Sequence, residues 1–385
     1  MVLACLSPNG VDTYEFAQQP DRLLVATQKG VVQVERKPDA QQWSVAGTNL
    51  ADLHISSLMR EPVHGWLFAG VHGRGLYRSK DDGTSWQPAM NGLAHEHVFS
   101  LSLIRKGSDV ELYAGTEPAH LYRSADNGET WQELAALQAV PGRENWNFPP
   151  PPHIAHVKHV ARDPRDPRKL YVCVEQGALL VSDDAGASFR EIHFQNETYK
   201  LNKDVHRVVF NPHDPDEIYV PGGDGISRSC DGGRTWEHLT TPEMRLAYPD
   251  QFYIPEAAGG DLFAVGGGTP PNMWRQTGNA RTAVVISKDR GQTWQQVRGG
   301  LPEEIAGNFE AATMMTWPGG FGFFTGSTDG EIYASFDQGQ SWALIAENVG
   351  AVSKCVHARN IEMGRAAVRQ EARKAAQKDA QSKHN

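Results

Sequence analysis

The residues in this chain best suited to chemistry are its histidines. Four of the 15 recur at one place in a repeating pattern. His54, His97, His156 and His206 stand 15–18 residues before the ends of four similar short apolar segments, at 67–70, 112–115, 170–173 and 218–221. The same count back from the segment at 323–326 lands on Glu310. From the segment at 262–265 it lands on Pro249, beside Asp250. Imidazoles and carboxylates that converge from several repeats can ligate a divalent transition metal (zinc, iron or manganese) or serve as acid–base pairs. The pattern predicts His54, His97, His156 and His206 as metal ligands, with Glu310 and His159 as the acid–base groups. Asp250, Glu175, Asp224, His72, Arg74, His120, His153, Trp146, Arg275 and His357 are predicted to line the site and contact the ligand. No residue stands out as a nucleophile. The competing reading is a water-filled channel whose polar lining binds nothing.

A repeated architecture must bring these positions together. Six copies of Ser-x-Asp-x-Gly-x-Ser/Thr-Trp/Phe punctuate the chain, with first serines at Ser79, Ser124, Ser182, Ser229, Ser287 and Ser335. Successive copies lie 45, 58, 47, 58 and 48 residues apart, which marks one recurring supersecondary unit. The Asp is suited to accept backbone N–H bonds inside a tight turn, and the Gly to supply a positive φ. Each unit reads as four short strands with the turn between the third and fourth. A seventh unit at 23–43, including Trp43, has lost its turn motif. Seven units of four strands predict an all-β, seven-bladed β-propeller over residues 1–360. The stretch at 352–357 reads as an innermost strand completing the first blade, in competition with 11–14.

The six motifs resemble the Asp-box, or BNR repeat, of sialidase-like β-propellers, over roughly residues 20–346. The chain looks most like the uncharacterised bacterial branch of these glycosyl-hydrolase-like propellers. True sialidases of this family carry an Arg-Ile-Pro motif and an arginine triad that grips the substrate carboxylate. Here Tyr253 precedes Ile-Pro, and histidines stand where inner-strand arginines would be, so classical sialidase activity is not expected. The resemblance implies either an enzyme acting on a small polar or carbohydrate ligand, as a metal-dependent hydrolase, lyase or oxidase, or a non-enzymatic scaffold. A photosystem assembly factor of the same repeat type exemplifies the scaffold.

Two insertions, at 135–152 and 266–283, fall on loops that a propeller places opposite the six turns, where binding residues concentrate. The net charge of −9 argues against a general nucleic-acid binder. No apolar run approaches the roughly 20 residues of a membrane helix. Four scattered cysteines, Cys5, Cys173, Cys230 and Cys355, predict thiols without a disulfide framework. The start, ending at Cys5, lacks the basic and apolar segments of a signal, and a cytoplasmic protein is expected. Residues 361–385 are basic and Ala-rich, and predict a surface helix or disordered tail through which a protein partner could bind.

Overall fold

The computed structural model describes residues 2–37, 42–193, 195–196, 199–200, 203–354 and 356–382. Residues 38–41 of the predicted seventh unit, Cys355 and residues 383–385 of the tail lie outside these residues. Seven sheets, antiparallel but for one parallel pair in each of the first and last, follow one another along the chain as the blades of an all-β, seven-bladed propeller. Their innermost strands are Leu3–Leu6, Ile55–Arg60, Val98–Lys106, His156–Arg162, Val209–Asn211, Tyr248–Tyr253 and Phe309–Trp317. Alternating apolar side chains pack each blade against the next. Between blades three and four, for example, Leu121, Leu134, Leu137, Val157, Val172 and Leu180 form one buried cluster. Each such side chain contributes about 1.5–3 kcal/mol relative to exposure.

The six turns are built alike. In blade three the buried Ser124 hydroxyl donates to Asp126 Oδ1 at 2.8 Å and accepts the Gly128 N–H at 2.8 Å. Asp126 Oδ1 in turn accepts the Thr130 N–H at 2.9 Å. Gly128 has φ +75°, and a Cβ there would lie 2.4 Å from the Phe68 ring of the preceding blade. Four of the following tryptophans, Trp86, Trp236, Trp294 and Trp342, donate their indole N–H back to the motif glycine at 3.1 Å. All six turns join third to fourth strands, so they share one face of the propeller, and both insertions lie on the other.

Closure differs from expectation. The innermost strand of blade one is Leu3–Leu6, paired parallel to Arg22–Thr27. The 11–14 stretch goes elsewhere: Thr13–Glu15 adds a fifth strand to blade seven, parallel to Phe309–Trp317. The described residues of the 352–357 stretch form no strand with blade one. It crosses the mouth of the channel and leads into a helix. The reason is reach: an N-terminal strand already completes blade one, and the segment between it and Thr13 spans the axis. On that path Asn9 donates to Phe99 O at 3.3 Å, and Pro8 O accepts from Gln251 at 3.1 Å.

Two helices cap the long-loop face. Helix α1, Pro271–Thr277, lies inside the second insertion. Helix α2, His357–Ser382, starts earlier than the composition change suggests. Its first turns bury His357, Ala358 and Ile361, and Gly364 packs on the Trp274 carbonyl. Arg365 pairs with Asp329 at 2.7 Å. Residues 366–377 are exposed. No helix among the described residues is long and apolar enough to cross a membrane.

Candidate functional site

One local device aims side chains at the axis. The innermost strands of blades two, three, four, six and seven each slip register once against their neighbours, between Ile55/Ser57, Val98/Ser100, Val157/His159, Pro249/Gln251 and Phe309/Ala311. A β-bulge leaves one residue unpaired and bends the strand. The unpaired residues are Ser56, Phe99, Lys158, Asp250 and Glu310. Three of the five are charged, and all three are buried at the long-loop mouth.

Glu175, at the end of the second strand of blade four, is the hub. Its Oε1 accepts from Lys158 Nζ at 3.1 Å, from Lys354 Nζ at 3.2 Å and from the Tyr248 hydroxyl at 3.4 Å. Its Oε2 lies 2.8 Å from His156 Nε2. Lys354 also donates to Asp250 Oδ1 at 2.9 Å, and Asn308 holds Asp250 Oδ2 at 2.8 Å. Burial opposes ionisation of Glu175, yet the two ammonium groups and His156 hold it well below the usual carboxylate range. Against the same burial, Lys354 and Lys158 bring Asp250 down to about 2. Burial pushes Lys158 down to about 8. Lys354, despite burial, is held well above its ordinary value by Asp250 and Glu175.

The four histidines predicted as one metal ring fall into three groups. His156 is clamped between carboxylates, with Nδ1 3.1 Å from Glu117 Oε2 and the Phe99 ring centred 3.6 Å away. Burial works against its charge, but Glu117 and Glu175 raise its pKa. His206 points Nδ1 at the Pro249 carbonyl, 2.8 Å away, and Nε2 at Asp204 Oδ1, 3.2 Å away. The same Nε2 is 3.7 Å from Glu175 Oε1. Both ring nitrogens therefore face acceptors, and Nε2 needs a cation, a proton or a metal ion, between itself and the carboxylates. Glu175, Asp204 and His206 form the one set among the described residues whose three ligand atoms lie within 4.8 Å of one another. One imidazole and two carboxylates suit zinc, iron or manganese. His54 and His97 stand apart, grouped with His72.

The other predicted residues scatter more widely. Glu310 is buried and taken up by His357 and by the Lys354 backbone N–H at 2.7 Å. His159 lies deeper, between blades four and five. Burial and Arg207 push it down to about 3, and its Nδ1 accepts the Val208 N–H at 3.4 Å. His120 pairs with Glu133 at 2.7 Å beside His95, away from the axis. Arg74 is exposed. His153 bonds the Phe148 carbonyl at 3.2 Å, and Trp146 sits beneath Arg143, 5.8 Å away. Trp146 belongs to the first insertion, and His153 directly follows it. Asp224, Arg275 and His357 line a cavity of about 410 Å3 together with Asp204 and Tyr248. Phe148, Pro149 and Pro150 from the first insertion and Pro270 and Pro271 from the second form its apolar walls. A larger cavity of about 610 Å3 opens on the rim beside Arg245 and Arg281, and no residue of the central cluster lines it.

Sequence reasoning missed Lys158, Lys354, Glu117, Asp204 and Tyr248. Asp204 sits two residues from the predicted His206, so period-2 alternation could have found it, whereas Lys158 is the bulged residue that breaks the alternation. Nothing in the local pattern around Lys354 marks it.

No protein-family model matches the chain, and no curated protein matches it. Solved structures do. An ancestral GH74 enzyme superposes with a TM-score of 0.57 at 17% identity, covering 76% of this chain and 38% of its own. This chain shares its propeller fold. The GH74 xyloglucanase from Xanthomonas campestris gives 0.52 at 17% identity, over 75% of this chain and 45% of its own. YCF48 bound to D1 peptide gives 0.51 at 16% identity, over 86% of this chain and 94% of its own. The chain thus spans less than half the length of the two GH74 structures. At these identities the likeness concerns fold alone, and function rests on the site.

Proposed function

We propose that the long-loop mouth binds a small polar or carbohydrate ligand and acts on it with a divalent transition metal held by Glu175, Asp204 and His206. One observation carries this reading: Asp204 belongs both to that three-ligand set and to the lining of the 410 Å3 cavity. A metal there supplies Lewis acidity toward a ligand oxygen, which suits hydrolase or lyase chemistry better than group transfer through a protein nucleophile. His206 is pre-oriented for ligation, because its Nδ1–H is taken by the Pro249 carbonyl. Tyr248 stays a neutral hydroxyl donor, since burial and then Asp204 hold its phenol well above its ordinary value. The prolines and Phe148 exclude water, and Arg275 offers a charge at the rim. We further assign the chain to the Asp-box propellers on the shared bonding of its six turns. The free thiols Cys5, Cys173 and Cys230 suit a cytoplasmic setting.

One observation favours a second reading, a non-enzymatic scaffold. Lys158 and Lys354 already neutralise Glu175 and Asp250, so the cluster is satisfied as it stands and a metal must displace an ammonium from Glu175. In that case the exposed part of α2 and the mouth would receive a protein partner. Dialysis against Mn2+ followed by elemental analysis separates the two. The enzyme reading expects bound manganese that is lost in Asp204→Asn, together with thermal shifts from a panel of sugars and small polar acids that depend on Asp204. Equal metal content in the two proteins and no ligand-dependent shift would overturn it.

A further inference from the structure

We propose a second metal site, made of three imidazoles, at His54, His72 and His97 on blades two and three. His54 immediately precedes the innermost strand of blade two, and His72 immediately follows that blade's second strand, Leu67–Val71. The His72 N–H donates to the His54 carbonyl at 2.9 Å, so the two side chains leave the backbone from one tied point. His97 immediately precedes the innermost strand of blade three. The rings are close: 5.1 Å between the centroids of His54 and His72, and 3.6 Å between those of His72 and His97.

Two of the three rings are bonded as metal ligands are. A ligating histidine characteristically donates its second ring N–H to a carbonyl or carboxylate, which fixes the tautomer and leaves a lone pair on the other nitrogen. His54 Nε2 lies 2.9 Å from the Ser353 carbonyl, and His97 Nδ1 lies 3.3 Å from Glu117 Oε1. Each ring therefore keeps one nitrogen for a further partner. His97 Nε2 and His72 Nδ1 are both buried and make no hydrogen bond. Two buried, unpartnered imidazole nitrogens on rings in contact are a standing cost that a shared cation removes. His72 and His97 supply the close pair; the three ligand nitrogens do not lie within 4.8 Å of one another as they stand, and His54 joins the pair by a side-chain rotation that gives up its bond to the Ser353 carbonyl.

Three neutral nitrogens make a softer site than the two carboxylates and one imidazole of Glu175, Asp204 and His206. It should take zinc, cobalt(II) or copper(II) in preference to manganese. It depends on no residue of that cluster, and Glu117 supports it from the side facing His156.

Cobalt(II) titration of the full chain, followed by d–d absorption and calorimetry, tests the assignment. Asp204→Asn should keep one tightly bound ion with a nitrogen-rich tetrahedral spectrum. His72→Asn, in a half-buried turn, should lose that spectrum and weaken binding at least tenfold. Failure of the carboxylate site alone would reduce the wild type to one ion, still sensitive to His72. In the unmutated protein, Zn2+ should protect His72 and His97 from carbethoxylation, read by mass spectrometry. An Asp204→Asn protein that binds no cobalt, a His72→Asn spectrum unchanged from wild type, or full modification of both histidines in the presence of zinc would overturn the proposal.

Discussion

Lys354 Nζ lies 3.2 Å from Glu175 Oε1, joining residues 179 apart in the chain and tying the C-terminal segment to the second strand of blade four. The ammonium also reaches Asp250 on blade six, so one side chain bridges two blades across the mouth. Removing it leaves two buried carboxylates short of a counter-charge. Lys354→Ala should therefore cost about 3–5 kcal/mol, the range for breaking one side of a buried ion pair. Deleting 367–382, which are exposed wherever described, should leave the urea midpoint almost unmoved. Equal effects from the two changes would mean that the segment is not held through Lys354.

The repeated turn makes a second, smaller prediction. The Ser124 hydroxyl is buried and serves as donor to Asp126 and acceptor from Gly128. Ser124→Ala removes both bonds and should lower stability by about 1 kcal/mol. The equivalent changes at Ser182 and Ser335 should cost similar amounts and add, since the turns share no partners. Chemical denaturation of the single and double variants checks this. Strong coupling between them would show that the turns are not independent caps.

The pH dependence has a worked sign. Asp250 drops from 3.8 to about 2 and Glu117 from 4.5 to about 2 on folding. The unfolded chain binds their protons first as pH falls, so their stabilisation is complete above about 5 and is lost toward pH 2. His72, lowered from 6.5 to about 4, acts in the same direction between those values. His156 acts oppositely: its raised pKa adds stability that is full below 6.5 and fades as pH rises through its folded value. Melting temperature should therefore fall below pH 5 and steepen toward pH 3. Glu117→Gln should flatten that limb. An unchanged acid limb in this variant would contradict the assignment of Glu117.

The propeller was legible because its signal is local and repeated. Each Ser-Asp-Gly turn carries its own hydrogen bonds, so six copies, with the motif-less unit at 23–43, state the blade count without tertiary information. Closure was not legible, because Leu3–Leu6 and 352–357 are both short apolar stretches and only the competition for one sheet edge decides between them. Counting found the histidines, Glu310 and Asp250, yet it missed Lys158, Glu117 and Asp204. Lys158, Asp250 and Glu310 point inward because each inner strand bulges there, and a bulge shifts alternation by one residue without changing composition. Lys354 reaches the hub from the 352–357 stretch, which reads as a strand yet forms none at its described residues.

The most direct test of the metal-bearing mouth is an anomalous-difference map from crystals soaked in MnCl2. The account predicts one manganese peak about 2.0–2.3 Å from His206 Nε2 and from oxygens of Asp204 and Glu175, with one lysine ammonium withdrawn from Glu175. A map with no peak there, and with Lys158 and Lys354 both still seated on Glu175, would contradict it.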